Sequence, residues 1–263
     1  MSYIDIKHAL IVQTRVIHAL ILRETKTRYG KHKLGYLWAL FEPVLQIAVF
    51  VAMFTLGGHK KVSDMPIILF ILTGVTPFML FRNTLTQGLN AIDANRALLT
   101  FPQVKTFDLV AARGLLEIAT MVVVSVILLL TVAAMDYPVR IENPLQVVFA
   151  LILLAMTGFG LGMTFASLTP LFPSINQVVQ AVLGRPLFFT SGLFFTAEVI
   201  PQYGRDILLL NPILHMIEML RSAFFFEFNS SYASPSFAMS TALVCVCTGL
   251  VTHRALHNKV LKT

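Results

Sequence analysis

An all-α integral membrane fold is what this sequence predicts, and three observations predict it. Of its 263 residues, 56% are hydrophobic and only 13% charged, with a mean hydropathy of +0.77; soluble domains carry roughly 25% charged residues. Apolar segments recur along the chain at about 34–56, 66–85, 109–135, 144–168, 175–195 and 237–252. The stretch Arg185–Phe228 is greasy yet cut by Pro186, Gly192, Pro201, Gly204 and Asn211–Pro212, and it carries Glu198, Arg205, Asp206, Glu218 and Arg221. The expected architecture is six transmembrane helices, an N-terminal amphipathic interface helix, and a broken re-entrant helix pair before the last span.

The elements follow in order. Residues 4–28 read as an amphipathic helix with Ile6, Ala9, Leu10, Val16, Ile17, Leu20 and Ile21 on one side and Lys7, Thr14, His18 and Thr25 opposite. Charges recur too often there for a span, so the helix is expected to lie along the membrane surface. The basic stretch RETKTRYGKHK closes this interface segment, residues 1–33, and a single transmembrane domain occupies 34–263. Pro66 and Pro144 open two of the spans, where a missing N–H costs little. The N-terminus, the 82–113 and 169–176 links and the C-terminus together hold fourteen Lys and Arg against six elsewhere. Both termini are therefore expected in the cytoplasm. Arg185 is counted on the outer side, with the broken 185–228 stretch entering from the outer face. Within it, no piece offers the roughly 20 apolar residues of a crossing. Two short helices broken at Pro201 and Pro212 fit residues 196–228 better, folded back into protein because irregular backbone at membrane depth needs cover.

Between the second and third spans, NAIDANRALLTFPQVKTFDLVAARGLLE predicts a short helix over Ala91–Leu99, a stop at Pro102, and a second helix from Thr106–Asp108 capped by Thr106 or Asp108. A short polar helix parked between two spans suits docking of a partner; a plain solvated loop is the alternative.

Four blocks carry a resemblance: LRETKTRYGKHKLGYLWALFEP (22–43), LTGVTPFMLF (72–81), AIDANRALLTFPQVKTFDLVAARGLLE (91–117) and NPILHMIEMLR (211–221). In these the chain resembles the permease subunits of bacterial ABC-2 type exporters, specifically those of capsular polysaccharide. The NP…E..R block is shared by ABC-2 permeases broadly, and the first block is narrower. The resemblance implies a homodimer of six-helix subunits in the bacterial inner membrane, with one cytoplasmic ATPase bound to each half. It implies a lipid-linked, acidic capsular polymer as cargo, moved to the periplasm in concert with a periplasmic adaptor and an outer-membrane channel. A permease for O-antigen, teichoic acid or a smaller lipid is the runner-up, and an intramembrane enzyme acting on lipid-linked sugar the competitor from another class.

No G-x-x-x-x-G-K-[ST] loop occurs, so ATP and magnesium are expected on a separate polypeptide. Gly158, Gly160 and Gly162 sit mid-span with no strand before them, and read as close helix packing rather than a nucleotide fingerprint. The seven histidines never fall at metal-ligand spacings, and Cys245 and Cys247 read as packing. No hydrolase elbow or aspartate-rich pair supplies an enzyme with a nucleophile or ion cluster. Nothing points to nucleic acid.

Arg185, directly before Pro186, is a cation within an apolar segment, and such residues mark function or a buried pair. The path reading sets it against anionic sugars or a lipid phosphate; the structural reading pairs it with an acidic residue such as Glu198 or Glu218, or places it near the outer surface. Tyr36 and Trp38 are further path candidates, since sugar rings stack on aromatic faces, with belt packing as the alternative. Glu42, Arg113 and Glu117 read first as a network between spans; Arg82 joins the path candidates. Arg23, Arg28, Ala91, Asp93, Asn95 and Arg96 are expected to meet the ATPase. Pro201, Asn211, Pro212, Glu218 and Arg221 are expected to form a gate that closes the exit at rest, with Glu218 and Arg221 locking it to itself or to the partner.

Overall fold

A computed structural model describes residues 3–29, 35–58, 61–172, 174–226 and 228–260, and the side chains of 10–27, 37–58, 61–172, 174–226 and 228–256. The basic residues Lys31 and Lys33 lie outside that range. Helix α1 (Tyr3–Tyr29) leads to α2 (Gly35–Leu56) and a small hairpin of β1 (Lys61–Val62) and β2 (Met65–Pro66). Then come α3 (Ile67–Leu89), a 3-10 helix (Asp93–Thr100), α4 (Thr106–Ala133) and α5 (Pro144–Leu168). The remainder is α6 (Ile175–Val179), a π turn (Gln180–Gly184), α7 (Arg185–Thr190), α8 (Gln202–Leu208), α9 (Pro212–Phe224) and α10 (Pro235–Val260).

The fold is all-α apart from the hairpin, whose turn residues Ser63 and Asp64 take φ of 47° and 63°. Among the described residues, five helices are long and apolar enough to cross a membrane: Leu37–Leu56, Ile67–Leu89, Thr106–Ala133, Pro144–Leu168 and Pro235–Leu256. Helix α3 is enclosed by the others, while α2 and α10 leave most of their apolar surface uncovered.

Packing at the centre depends on missing side chains. A Cβ on Gly158 would sit 2.6 Å from the Phe81 carbonyl oxygen, and one on Gly162 would sit 2.9 Å from that of Leu85. On the same helix, a Cβ on Gly160 would fall 2.3 Å from the Cys245 carbonyl carbon of α10. Alternate glycines of TGFGLGM therefore press α5 against α3 and α10 at once, as small residues do in membrane bundles.

The fifth apolar segment differs from a 175–195 helix. Its helical path ends at Thr190 and is interrupted at Gln180–Gly184, because Pro186 has no N–H to return to residue 182 and the turn before it widens. Even so, residues 175–196 run the height of α3 in reverse. Asn176 bonds Asn90, Gln180 bonds Thr86, Phe188 meets Phe78 with ring centroids 5.5 Å apart, and Leu193 lies against Gly74. The Thr196 hydroxyl then reaches Ser63 at the hairpin end. This crossing is composite, helical below and irregular above.

Helices α8 and α9 meet at 103°, and α9 runs back to the hairpin end. Met216 lies against Thr157 midway along α5, whereas the Ala223 carbonyl accepts from the Glu142 and Asn143 N–H groups that precede α5. At the opposite end, α1 packs Leu20 into a small core of Ala91, Ile92, Leu109, Val110, Ala112, Met163 and Ala166. Gln13 donates to Asp108 on the same stripe, but Leu10 of the expected apolar face is left exposed.

Candidate functional site

A cleft of about 450 Å³ opens between α2, α3 and the composite crossing, lined by Gln46, Arg82, Gln177, Gln180, Arg185, Phe188 and Phe189 among others. The π turn sets its back wall and hands Arg185 to the first position of α7. Arg82 Nη2 lies 3.0 Å from Glu42 Oε1, a pair exposed enough to be worth little and easily exchanged. Among the described residues Arg185 makes no ion pair; Glu218, one expected partner, is engaged elsewhere. The cleft thus offers two planar cations, three neutral amides and two aromatic faces at a depth shared with the membrane-crossing helices. Guanidinium groups in such a place hold carboxylate or phosphate through paired hydrogen bonds. Arg185, counted with the hairpin end in the charge tally, instead stands level with Arg82, because the chain breaks at Ser191–Gly192 rather than at residue 185.

Glu218, Arg221 and Asn211 form a second constellation. Once α7 ends, the carbonyls of residues 191–196 have no helical partner, and each left unpaired in a buried site would cost about 1–3 kcal/mol. Arg221, fully buried, donates to the carbonyls of Gly192, Leu193 and Phe195 and to that of Phe70, while its guanidinium lies 3.9 Å from the Phe70 ring centroid. Gly74 leaves room for this group, since a Cβ there would stand 2.6 Å from Arg221 Nη2. Glu218 accepts from the Ala197 N–H and the Ser230 hydroxyl. Asn211 caps α9 by accepting from the Ile213 N–H, with Pro212 at the first helical position, and its amide donates to the hydroxyls of Thr190 and Ser191. These side chains hold the irregular half of the crossing against α9 within one chain. Helix α9 is enclosed by α5, α3 and α10, whereas α8 presents Tyr203, Ile207 and, just beyond it, Leu210 outward.

The expected coupling residues divide. The short helix is a 3-10 helix starting at Asp93, with Asn95 out of helical geometry (φ −124°). Asp93 and Arg96 pair on its exposed face, together with exposed Phe101. Ala91 and Asn95 are buried: Asn95 is 5% exposed, accepts from Arg23 Nη1 at 2.8 Å and donates to the Ala91 carbonyl. They support the surface and do not form it. Arg113 pairs with Glu24 of α1, at 2.6 Å. Trp38 is 67% exposed beside Phe41 and does not line the cleft. The side chains of Tyr36 and Arg28 lie outside the described residues. Sequence reasoning missed Gln46, Gln177 and Gln180; the signal was three amides, Asn176, Gln177 and Gln180, within two turns of an apolar segment.

Comparison with known proteins now bears on this geometry. Residues 15–225 match the family model described as ABC-2 type transporter. The polysialic acid transport protein KpsM of Escherichia coli is 33% identical over 95% of this chain and 96% of its own length. The capsule polysaccharide export inner-membrane proteins CtrC of Neisseria meningitidis serogroup A and BexB of Haemophilus influenzae are 33% and 32% identical. The first alignment covers 92% of this chain and 91% of CtrC, the second 93% and 92% of BexB.

Proposed function

The chain belongs to the ABC-2 type transporter family, and we infer that it is the multi-pass inner-membrane permease subunit of an ATP-driven capsule polysaccharide exporter. One observation carries the reading: a cleft with two arginines and three amides, set among helices apolar enough to cross a membrane, in a chain that aligns almost end to end with capsule export permeases. The role is transport, not catalysis.

The finer picture is as follows. The cargo is a lipid-linked acidic polymer passing from cytoplasm to periplasm, its anionic groups meeting Arg82 and Arg185. A polymer must enter such a path and also leave it, so contacts should be individually weak and repeated. Glu42 serves that need by competing for Arg82. The cleft stands open beside exposed Val178, Val182 and Phe189, a face suited to closure by a second copy of the chain. The exposed face of Asp93, Arg96 and Phe101 receives a separate cytoplasmic ATPase, one per subunit, which binds ATP and magnesium. The excess of Lys and Arg at the α1 end supports cytoplasmic termini, and the hairpin end then faces the periplasmic adaptor and outer-membrane channel.

The test is deletion of the gene and complementation, with surface capsule quantified by cationic-dye binding on intact cells. Wild type restores surface polymer; Arg185→Ala leaves polymer inside at an unchanged membrane level of permease, and Arg185→Lys recovers part. Normal export by Arg185→Ala would remove the cargo role of the cleft. Loss of O-antigen with intact capsule in the deletion strain would reassign the cargo.

A further inference from the structure

The lower half of the composite crossing, α6, packs only lightly on α5; it seats Val179 in the core, and two side-chain bonds tie this segment to α3. Asn176 Nδ2 donates to Asn90 Oδ1 at 2.8 Å. The Asn90 amide is fixed in this sense because its Nδ2 donates to the Thr86 carbonyl at 2.9 Å. One turn further along, Gln180 reaches the Thr86 hydroxyl at 3.3 Å. Both bonds join the segment that carries Arg185 to the last turn of α3.

Asn90 is also the root of the docking surface. It precedes buried Ala91 and Ile92, and the 3-10 helix begins at Asp93. Its own carbonyl accepts from Arg113 Nη1 at 3.2 Å, and Arg113 Nη2 is held by Glu24 of α1 at 2.6 Å. The residue before Glu24, Arg23, holds Asn95 inside the 3-10 helix. The covalent chain and the α1 network therefore converge on one residue from the surface side, and a single hydrogen bond leaves it toward the cleft.

We infer that Asn90 is the positioning joint through which displacement of the 3-10 helix and α1 reaches α6, and through its π turn Arg185, with Asn90–Asn176 as the coupling bond. This rests on the transport reading. The bond is short, lies between partly buried groups, and spans 86 positions in sequence, while the π turn just beyond it lets the two halves of the crossing turn separately. A chain of contacts alone shows adjacency; coupling must be measured.

The measurement is a double-mutant cycle in the complete permease–ATPase complex, read by surface capsule on cells and by ATP turnover of the purified complex. Asn176→Leu removes the donor at similar volume and Asn90→Leu removes the acceptor. Each should lower surface polymer about fivefold, the worth of one net hydrogen bond, at unchanged ATP turnover. The double variant should be no worse than either single one. Asn90→Asp, which keeps the acceptor toward Asn176 but gives up the bond to the Thr86 carbonyl, should export more than Asn90→Leu. Normal export by Asn176→Leu, additive losses in the double variant, or ATP turnover falling in step with export would each overturn the inference. Should Asn176→Leu fail to accumulate, Asn176→Ser, too short to reach Asn90, is read the same way. A wild type that cannot restore export would sink the transport reading instead.

Discussion

Replacing Arg221 by methionine should unfasten the hairpin half of the molecule. Methionine roughly keeps the length and the apolar stem, so the change isolates the guanidinium. That group satisfies three carbonyls of the irregular segment, those of Gly192, Leu193 and Phe195, none of which has a helical partner. At about 1–3 kcal/mol for each acceptor left unsatisfied in a buried site, the loss is about 3–9 kcal/mol. Native stabilities run to about 5–15 kcal/mol, so the variant should be marginal or unfolded. Arg221→Lys keeps the charge but loses the planar fork; if three of the four carbonyls are still reached, the cost falls to about 1–3 kcal/mol. Membrane abundance and the temperature at which detergent-solubilised protein leaves the monodisperse peak give the readout. The expected order is wild type, then Lys, then Met. Arg140→Met, at an exposed pair with Glu142, is the control and should leave both measures unchanged. If Arg221→Met accumulated normally with an unchanged midpoint, the carbonyls must be satisfied without Arg221, and its role as anchor would be refuted.

Two further outcomes follow from the packing and the surface. Gly160→Ala places a methyl group against the Cys245 backbone, and overpacking of this kind should cost about 1–3 kcal/mol; a wild-type thermal midpoint would show that α10 yields freely. Replacing Asp93 and Arg96 together by alanine should lower ATPase co-purification while leaving permease abundance unchanged, because both side chains are exposed; undiminished co-purification would place the docking surface elsewhere.

The spans were legible because apolar composition and length are local properties, and the breaks were legible for the same reason. Pro201 and Pro212 mark the starts of α8 and α9 since proline can begin a helix but not continue one. Gly158 and Gly162 announced a close helix approach, although the split of labour that gives Gly160 to α10 needed the coordinates. What sequence did not reveal was which polar groups meet across distance. Asn95 resembled a surface residue until Arg23, 72 positions away, was found to hold it inside. Asn90, Asn176 and Gln180 are single amides in apolar surroundings, too sparse to impose a period. By sequence, Arg185 counts with the outer-side cations because the broken 185–228 stretch begins at that residue. In fact the proline widens one turn, and the backbone continues toward the hairpin end as far as Thr196.

Arg185 and Arg221 share a residue type and an apolar setting; by sequence Arg185 is a path candidate or half of a buried pair, and Arg221 a lock with Glu218. Geometry separates them. Arg221 is closed off from solvent and spends its donors on four carbonyls of its own chain. Binding cargo would require it to abandon acceptors that have no substitute, so its contribution is made once, on folding. Arg185 lies in an open cleft beside Arg82, without an ion pair among the described residues. It can take and release an anion without leaving a buried group unsatisfied. A transport path requires that reversibility, and it is why the cleft, rather than the more heavily bonded Glu218–Arg221 constellation, is where cargo should be sought.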